Sequence, residues 1–185
     1  MLVAGSDYLD YDVAMEKGLQ LIKSGENPTF GLLIVCGVNM GLRISDLLKI
    51  TYEHFEKGSF MLNEKKTKKR RKIIPNSVVL EAVGEMPDTA HKSLGANAFI
   101  SQKGTVYSPQ HVNRLLKKYF EKKEGMLISS HSLRKSWGRR YYDKWKMEGG
   151  LEDLQLQFNH SSPTDTLKYI GITQERLDQM YERNV

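Results

Sequence analysis

The feature that most constrains how this chain can fold is an apolar run at residues 30–38, Phe-Gly-Leu-Leu-Ile-Val-Cys-Gly-Val. The run includes the one cysteine of the chain, Cys36, and is followed by Gly41. A helix that is apolar on all sides must be buried inside a protein. The nine residues of this run also fall far short of the roughly 20 that a membrane-spanning helix needs. The sequence therefore predicts a buried helix that ends near Gly41.

The segments around this run show helical periodicity, with one exception. Two short strand patterns, residues 60–62 and 72–74, flank a basic turn and are closed by Pro75. Helices are predicted at residues 10–24, 45–50 and 77–83, from Pro109 onwards, from a cap at Ser130, at 151–158, and at 174–182 with Leu177, Met180 and Tyr181 on one side. The predicted fold class is mainly α with a small antiparallel β-sheet (α+β).

Composition sets the broad class of protein. With 185 residues, 39% of them apolar and 27% charged, the chain is expected to be one globular domain. The single cysteine excludes a disulfide framework and a cysteine metal site, and the N-terminus lacks the basic region of a signal peptide. A reducing, cytoplasmic location is the expectation. The net charge of +6 is compatible with a polyanionic partner.

Much of the positive charge is concentrated in one segment. Residues 65–72 have the sequence Lys-Lys-Thr-Lys-Lys-Arg-Arg-Lys, with seven cations and no acid. Most such runs are solvated loops or strand ends, and the alternative is an element that contacts phosphate groups. In the second interpretation the DNA contacts are made by Lys65, Lys68, Lys69, Arg70 and Arg71.

Two histidines, an arginine and a tyrosine lie at fixed offsets in the second half of the chain: His131, Arg134, His160 and Tyr169. Together with Arg43 they suit the attack of a tyrosine hydroxyl on a phosphodiester without a metal ion. Guanidinium groups neutralise the non-bridging oxygens, and imidazoles transfer protons. Each residue by itself is more often an ordinary surface or packing residue. The hypothesis depends on the set.

Four sequence boxes resemble the catalytic domain of tyrosine recombinases, the phage integrase family, and they occur in the order expected for it. Gly41-Leu-Arg-Ile-Ser-Asp46-Leu-Leu resembles its first-arginine box, and Lys66-Thr-Lys-Lys-Arg-Arg-Lys-Ile-Ile-Pro75 resembles its lysine hairpin. His131-Ser-Leu-Arg134 resembles its His-x-x-Arg box, and the segment from His160 to Tyr169 resembles its final His-to-Tyr box. The resemblance covers most of the chain, from about Phe30 to Tyr169.

The resemblance implies a site, a reaction and partners. Double-stranded DNA would be cut through a covalent 3′-phosphotyrosine, with no cofactor, metal ion or ATP, and the protein would self-associate as a tetramer on DNA through its C-terminal segment. The equal alternative for the apolar side of that segment is packing on its own domain. The implied roles are phosphate clamps for Arg43 and Arg134, general acid toward the 5′ oxygen for Lys66, acid/base near the nucleophile for His131, phosphate hydrogen bonding for His160, nucleophile for Tyr169 and a supporting role for Asp46.

Two departures from the family pattern stand out. Phe158-Asn159 replace the usual Leu-Gly before His160, and asparagine tolerates the left-handed backbone that this turn would need. The usual N-terminal DNA-clamping domain is expected to be absent, because only about 30 residues precede Phe30. The whole chain is therefore predicted to be a single catalytic domain, with residues 1–9 flexible and 170–185 as a tail, and the resemblance favours a fragment of a longer integrase.

The favoured function is a site-specific recombinase, with integration of a mobile element as the first expectation from the resemblance. One alternative is a recombinase-like module that binds DNA without cleaving it, and another is a tyrosine topoisomerase with the same chemistry. A binding role needs no aligned tyrosine, which counts against the first alternative. A metal-dependent nuclease needs clustered carboxylates, and the sequence contains no convincing cluster.

Overall fold

The apolar run forms helix α2 (Pro28–Met40), as predicted, and α2 is the centre of the core. Proline at its first position suits a helix start, and the left-handed Gly41, with a φ of 59°, ends it. Helix α1 (Tyr11–Lys23) packs along α2. The contact is close because a Cβ atom on Gly31 would lie 2.5 Å from the carbonyl oxygen of Gly18. Only glycine at both positions allows the two backbones to approach this far.

The computed structural model describes residues 5–87, 95–120, 126–173 and 179. The chain order continues with α3 (Ile44–Leu47), α4 (Tyr52–Glu56), β1 (Phe60–Asn63), β2 (Arg70–Ile73), α5 (Ser77–Gly84), α6 (Pro109–Phe120), α7 (Ser130–Trp145), α8 (Gly150–Phe158) and α9 (Pro163–Tyr169). Within the described ranges, no helix is long and apolar enough to span a membrane. The predicted helix at 174–182 lies outside the described residues, apart from Gln179.

The strands β1 and β2 form a two-stranded antiparallel sheet, with Phe60 opposite Ile73 and Asn63 opposite Arg70. The prediction of a strand at 72–74 was wrong at both ends. Strand β2 begins at Arg70 because pairing with β1 extends toward the turn, and Ile74 lies outside the sheet with 67% of its surface exposed. The hairpin therefore carries more of the basic run within its paired strands than was expected.

Helix α7 crosses α2 and joins the main core to a second apolar cluster at the C-terminal end. The predicted cap at Ser130 was wrong by one residue: the backbone of Ser129 is extended, and its side chain accepts a hydrogen bond from the N–H of His131. The second cluster is formed by Tyr142, Leu154, Phe158, Ile170 and Ile172. It fixes α8 and α9 against α7, so the segment from His160 to Tyr169 lies beside the start of α7.

Candidate active site

The start of α7 carries two of the predicted site residues, one turn apart. His131 is exposed, whereas Arg134 is only 3% exposed and is directed into the protein. Nη1 of Arg134 donates to the carbonyl oxygen of Gly41 at 2.7 Å, and the guanidinium lies 4.6 Å from the centre of the Phe158 ring. Burial lowers the pKa of Arg134 to about 10, so the side chain is still charged at neutral pH.

The carbonyl end of α8 binds three guanidinium groups. Nη2 of Arg43 donates to the carbonyl oxygen of Phe158 at 3.2 Å, and Nη1 of Arg71 donates to that of Gln157 at 3.1 Å. Nη2 of Arg134 approaches the Gln157 carbonyl at 3.5 Å. The last carbonyls of a helix lack partners within the helix and form the negative end of its dipole, so cations are favourable there. This helix end holds three positive side chains next to one another.

A buried acid, Glu64, lies among these cations, and the sequence analysis did not single it out. Its Oε2 accepts from Nη1 of Arg43 at 2.9 Å and from Oγ1 of Thr67 at 2.5 Å, and its Oε1 lies 3.4 Å from Nε of Arg71. Burial by itself would raise the pKa of Glu64, but the Thr67 hydrogen bond and the charges of Arg71 and Arg43 hold the pKa below its ordinary value. The carboxylate is therefore ionised at neutral pH.

Asp46, predicted to support the site, joins the hairpin to α3. Its side chain is 1% exposed, and Oδ1 accepts from the backbone N–H of Lys65 at 2.8 Å. Lys49 donates to the same oxygen and to the carbonyl oxygen of Asn63, both at 2.9 Å. These bonds fix the base of the turn next to the segment that carries Arg43.

The turn of the hairpin, residues 65–67, presents Lys66 on the surface. Lys68 follows in a left-handed conformation with a φ of 58°, and Lys69 donates to Oδ1 of Asn159 at 2.5 Å. The cations predicted to contact DNA divide into two groups. Lys65, Lys68, Lys69 and Arg70 are exposed, whereas Arg71 is partly buried and engaged by Glu64 and α8.

Tyr169 is the last residue of α9 and lies between the two predicted histidines. Its hydroxyl is 3.4 Å from Nδ1 of His131, and its ring centre is 5.2 Å from that of His160. Nδ1 of His160 is 3.1 Å from Oγ1 of the buried Thr166. The amine of Lys135 lies 5.2 Å from the Tyr169 ring centre. The hydroxyl is thus within reach of an imidazole nitrogen.

The protein environment shifts the pKa of each of these groups. Burial raises the pKa of Tyr169, although the nearby guanidinium groups, that of Arg134 first, oppose the shift. Desolvation and then the charge of Arg134 lower the pKa of His131 and of His160, and the charge of Lys66 contributes at both rings. The histidines are therefore neutral at pH 7, and Lys66 lies within electrostatic reach of them.

The turn before His160 has the geometry predicted for it. Asn159 caps α8 with a φ of 57° and a ψ of 49°, which is left-handed backbone. The prediction that asparagine can replace glycine here is confirmed. This reversal brings His160 next to the carbonyls that bind the arginines.

The structure thus brings Arg43, Arg134, His160 and Tyr169 together around the end of α8, with His131 at the tyrosine hydroxyl. Sequence reasoning missed Glu64 and the carbonyl groups of Gly41, Gln157 and Phe158. The carbonyls carry no side-chain signal. Glu64 gave no clear signal either: the alternation of buried and exposed residues from Phe60 to Asn63, which places residue 64 on the buried face, is a feature of the structure, because Met61 interrupts any apolar–polar alternation in the sequence.

Comparison with known proteins gives a consistent result. The sequence model of the phage integrase family matches residues 29–176. The chain is also 30% identical over 154 residues to the probable integrase/recombinase YoeC of Bacillus subtilis (strain 168), a similarity that covers 81% of either chain.

Solved structures share the fold. The crystal structure of XerA recombinase has a TM-score of 0.67 at 18% identity over 95% of this chain. A lambda integrase dimer bound to a COC′ core site has a TM-score of 0.66 at 20% identity over 90% of this chain, and the Tn1549 transposon integrase in complex with transposon right end DNA has 0.64 at 20% over 97%. This chain spans 64%, 60% and 67% of those chains. The predicted mainly helical fold with a small sheet is confirmed.

Proposed function

Because this chain belongs to the phage integrase family, we propose that it is a site-specific DNA recombinase that forms a covalent 3′-phosphotyrosine through Tyr169. The observation that carries the proposal is the Tyr169 hydroxyl 3.4 Å from Nδ1 of His131, beside two arginines anchored at one helix end. Covalent catalysis needs a nucleophile and a proton acceptor within hydrogen-bonding reach, and a phosphodiester also needs fixed positive charge. The side chains around the end of α8 supply a nucleophile, a proton acceptor and fixed positive charge.

The proposed step is an in-line displacement at phosphorus. The hydroxyl oxygen of Tyr169 attacks, and neutral His131 accepts its proton. The bond from phosphorus to the 5′ oxygen breaks, and Lys66 donates a proton to the leaving oxygen. Arg43 and Arg134 donate to the non-bridging oxygens. A phosphodiester bond is exchanged for a phosphotyrosine bond, so attack by a 5′ hydroxyl in the reverse direction rejoins DNA.

The arginines keep donors available for this task. A guanidinium carries five N–H groups, and Arg43 uses one on Glu64 and one on Phe158. His160 adds a further donor when the Thr166 hydroxyl donates to Nδ1, because the proton of the neutral ring is then on Nε2. The phosphate would replace solvent on groups whose positions the protein has already fixed.

The exposed cations of the hairpin are proposed to bind the DNA backbone, which makes affinity fall steeply with salt. Duplex DNA at a specific recombination site is the proposed substrate. A role in integrating a mobile element is proposed on the similarity to proteins described as integrases. Self-association on DNA through the C-terminal segment stays a prediction, since Leu177, Met180 and Tyr181 lie outside the described residues.

The proposal is tested by covalent capture. The full chain is incubated with a pool of nicked duplexes of random sequence, and protein–DNA adducts that survive denaturation are isolated and sequenced. The adduct should vanish in Tyr169→Phe and persist in the matched variant Tyr11→Phe, whose hydroxyl donates to Oδ1 of Asn39 between α1 and α2. An adduct that survives Tyr169→Phe would exclude Tyr169 as the nucleophile. Specific binding without any adduct would favour the DNA-binding module.

A further inference from the structure

We propose that Glu64 is a positioning residue, which holds the guanidinium of Arg43 in the orientation that receives the phosphate and couples it to the turn that carries Lys66. The inference rests on the proposed function, because it assigns Arg43 to phosphate binding. Glu64 itself would touch neither DNA nor the reacting atoms.

Arg43 is held from two sides. Glu64 accepts from Nη1 at 2.9 Å, and the carbonyl oxygen of Phe158 accepts from Nη2 at 3.2 Å. The guanidinium is planar, so two acceptors on different nitrogens fix both its position and its plane. The side chain is only 15% exposed, and the remaining N–H groups are those available to a phosphate. Without the carboxylate, the guanidinium would be held only by its hydrogen bond to the Phe158 carbonyl and could rotate about it.

Glu64 also closes the hairpin turn. Its backbone N–H donates to the carbonyl oxygen of Lys69, and its carbonyl oxygen accepts from the N–H of Lys68, both at 3.0 Å. Thr67 donates its hydroxyl to the same carboxylate oxygen that binds Arg43. A shift of the turn would therefore move the carboxylate and, with it, the guanidinium. The positions of Lys66 and Arg43 are coupled in this way.

The charges explain why an acid is needed at this buried position. Arg43 and Arg71 both contact the Glu64 carboxylate, and Arg134 shares the helix end with them. A buried cation without a counter-charge is costly, and neighbouring guanidinium groups repel each other. The carboxylate contacts two of the three guanidinium groups and offsets one unit of their positive charge, while each arginine keeps unused donors.

The test compares Glu64→Ala and Glu64→Gln with Glu56→Gln, which removes one acid from an exposed position on α4. The measurements are the rate of Tyr169 adduct formation at saturating DNA, DNA affinity, thermal melting and the ¹⁵N spectrum of the arginine side chains. Glu64→Ala should slow adduct formation about 100-fold at unchanged affinity, the loss expected for a misplacement of about 1 Å. Glu64→Gln should be intermediate because its amide oxygen can still accept from Arg43, and Glu56→Gln should match the parent.

Each result decides the question. A folded Glu64→Ala or Glu64→Gln variant that forms the adduct at the parent rate would overturn the inference. Tighter DNA binding by that variant would show that Glu64 only repels phosphate. If Glu64→Ala fails to fold, the Glu64→Gln rate decides. If the parent forms no adduct, the proposed function is contradicted, and the Arg43 guanidinium resonances still decide whether Glu64 restrains this side chain. Arg43 guanidinium rotation that is slow in the parent, faster in Glu64→Gln and fastest in a folded Glu64→Ala supports the restraint, and identical spectra in the folded variants refute it.

Discussion

Replacing Gly41 with alanine should destabilise the protein and disturb the arginine pair together. Gly41 has a φ of 59°, and a Cβ atom there would lie 2.3 Å from Cε3 and 2.5 Å from Cδ2 of Trp137. Left-handed backbone costs a non-glycine residue about 1–2 kcal/mol, and overpacking adds about 1–3 kcal/mol. The free energy of unfolding should fall by about 3 kcal/mol, which for a chain of this size lowers the melting temperature by about 6–12 °C.

The same substitution acts on the candidate site through the backbone. The carbonyl oxygen of Gly41 accepts from Nη1 of Arg134 at 2.7 Å, and Arg43 is two residues further along the chain. Trp137 lies one turn beyond Arg134 on α7. A backbone shift that relieves the Trp137 contact must move both guanidinium groups, so adduct formation should slow about 100-fold.

Gly58→Ala is the matched control. Gly58 has a φ of 64°, but a Cβ atom there would have no neighbour within 4 Å. It should therefore show only the backbone cost of about 1 kcal/mol, with an unchanged adduct rate. Urea unfolding and single-turnover adduct formation measure the two effects. Equal stability losses in Gly41→Ala and Gly58→Ala would refute the argument from the Trp137 contact, and a normal adduct rate in a folded Gly41→Ala would refute the coupling to the arginines.

Other predictions concern the hairpin, the buried arginine, the α8 turn and the histidines. Lys66→Ala should slow adduct formation far more than Lys68→Ala, and equal slowing would identify the hairpin as a general phosphate-binding patch. Arg134→Met should reduce the adduct rate about 10²–10³-fold while the protein stays folded in urea titrations, and a parent rate in the folded variant would contradict a phosphate-binding role for Arg134. Asn159→Ala should have a free energy of unfolding about 1 kcal/mol lower than that of Asn159→Gly, measured by thermal unfolding. Equal stability of the two variants would contradict the left-handed φ. The folded-state pKa of His131 lies below 6.5, so the unfolded chain binds more protons than the folded chain at acidic pH. The free energy of unfolding in urea should therefore be constant above about pH 6.5 and fall below it. The fall should be smaller in His131→Gln.

Much of the fold was predictable from local pattern. The buried helix α2, the helical start at Pro109 and the hairpin were all expected, because periodicity, proline and glycine act on the backbone within a few residues. The left-handed Asn159 was expected for the same reason. Errors occurred at the ends of elements, where several local arrangements compete: the extent of β2 depends on how far it pairs with β1, and the α7 cap depends on which of two adjacent serines is extended.

The sequence by itself determined which side chains are available for chemistry and in what order they occur: Arg43, Lys66, His131, Arg134, His160 and Tyr169. Only the tertiary structure decided how the arginines are held. Gln157 and Phe158 bind guanidinium groups through backbone carbonyls, which every residue type carries, and the contact from Arg43 spans 115 residues. Arg71 belongs to the same basic run as the exposed Lys69, yet it is partly buried and paired with Glu64. Residue type determines the chemistry that a side chain can perform. The partner of a buried charge depends instead on which distant segments the core packs together.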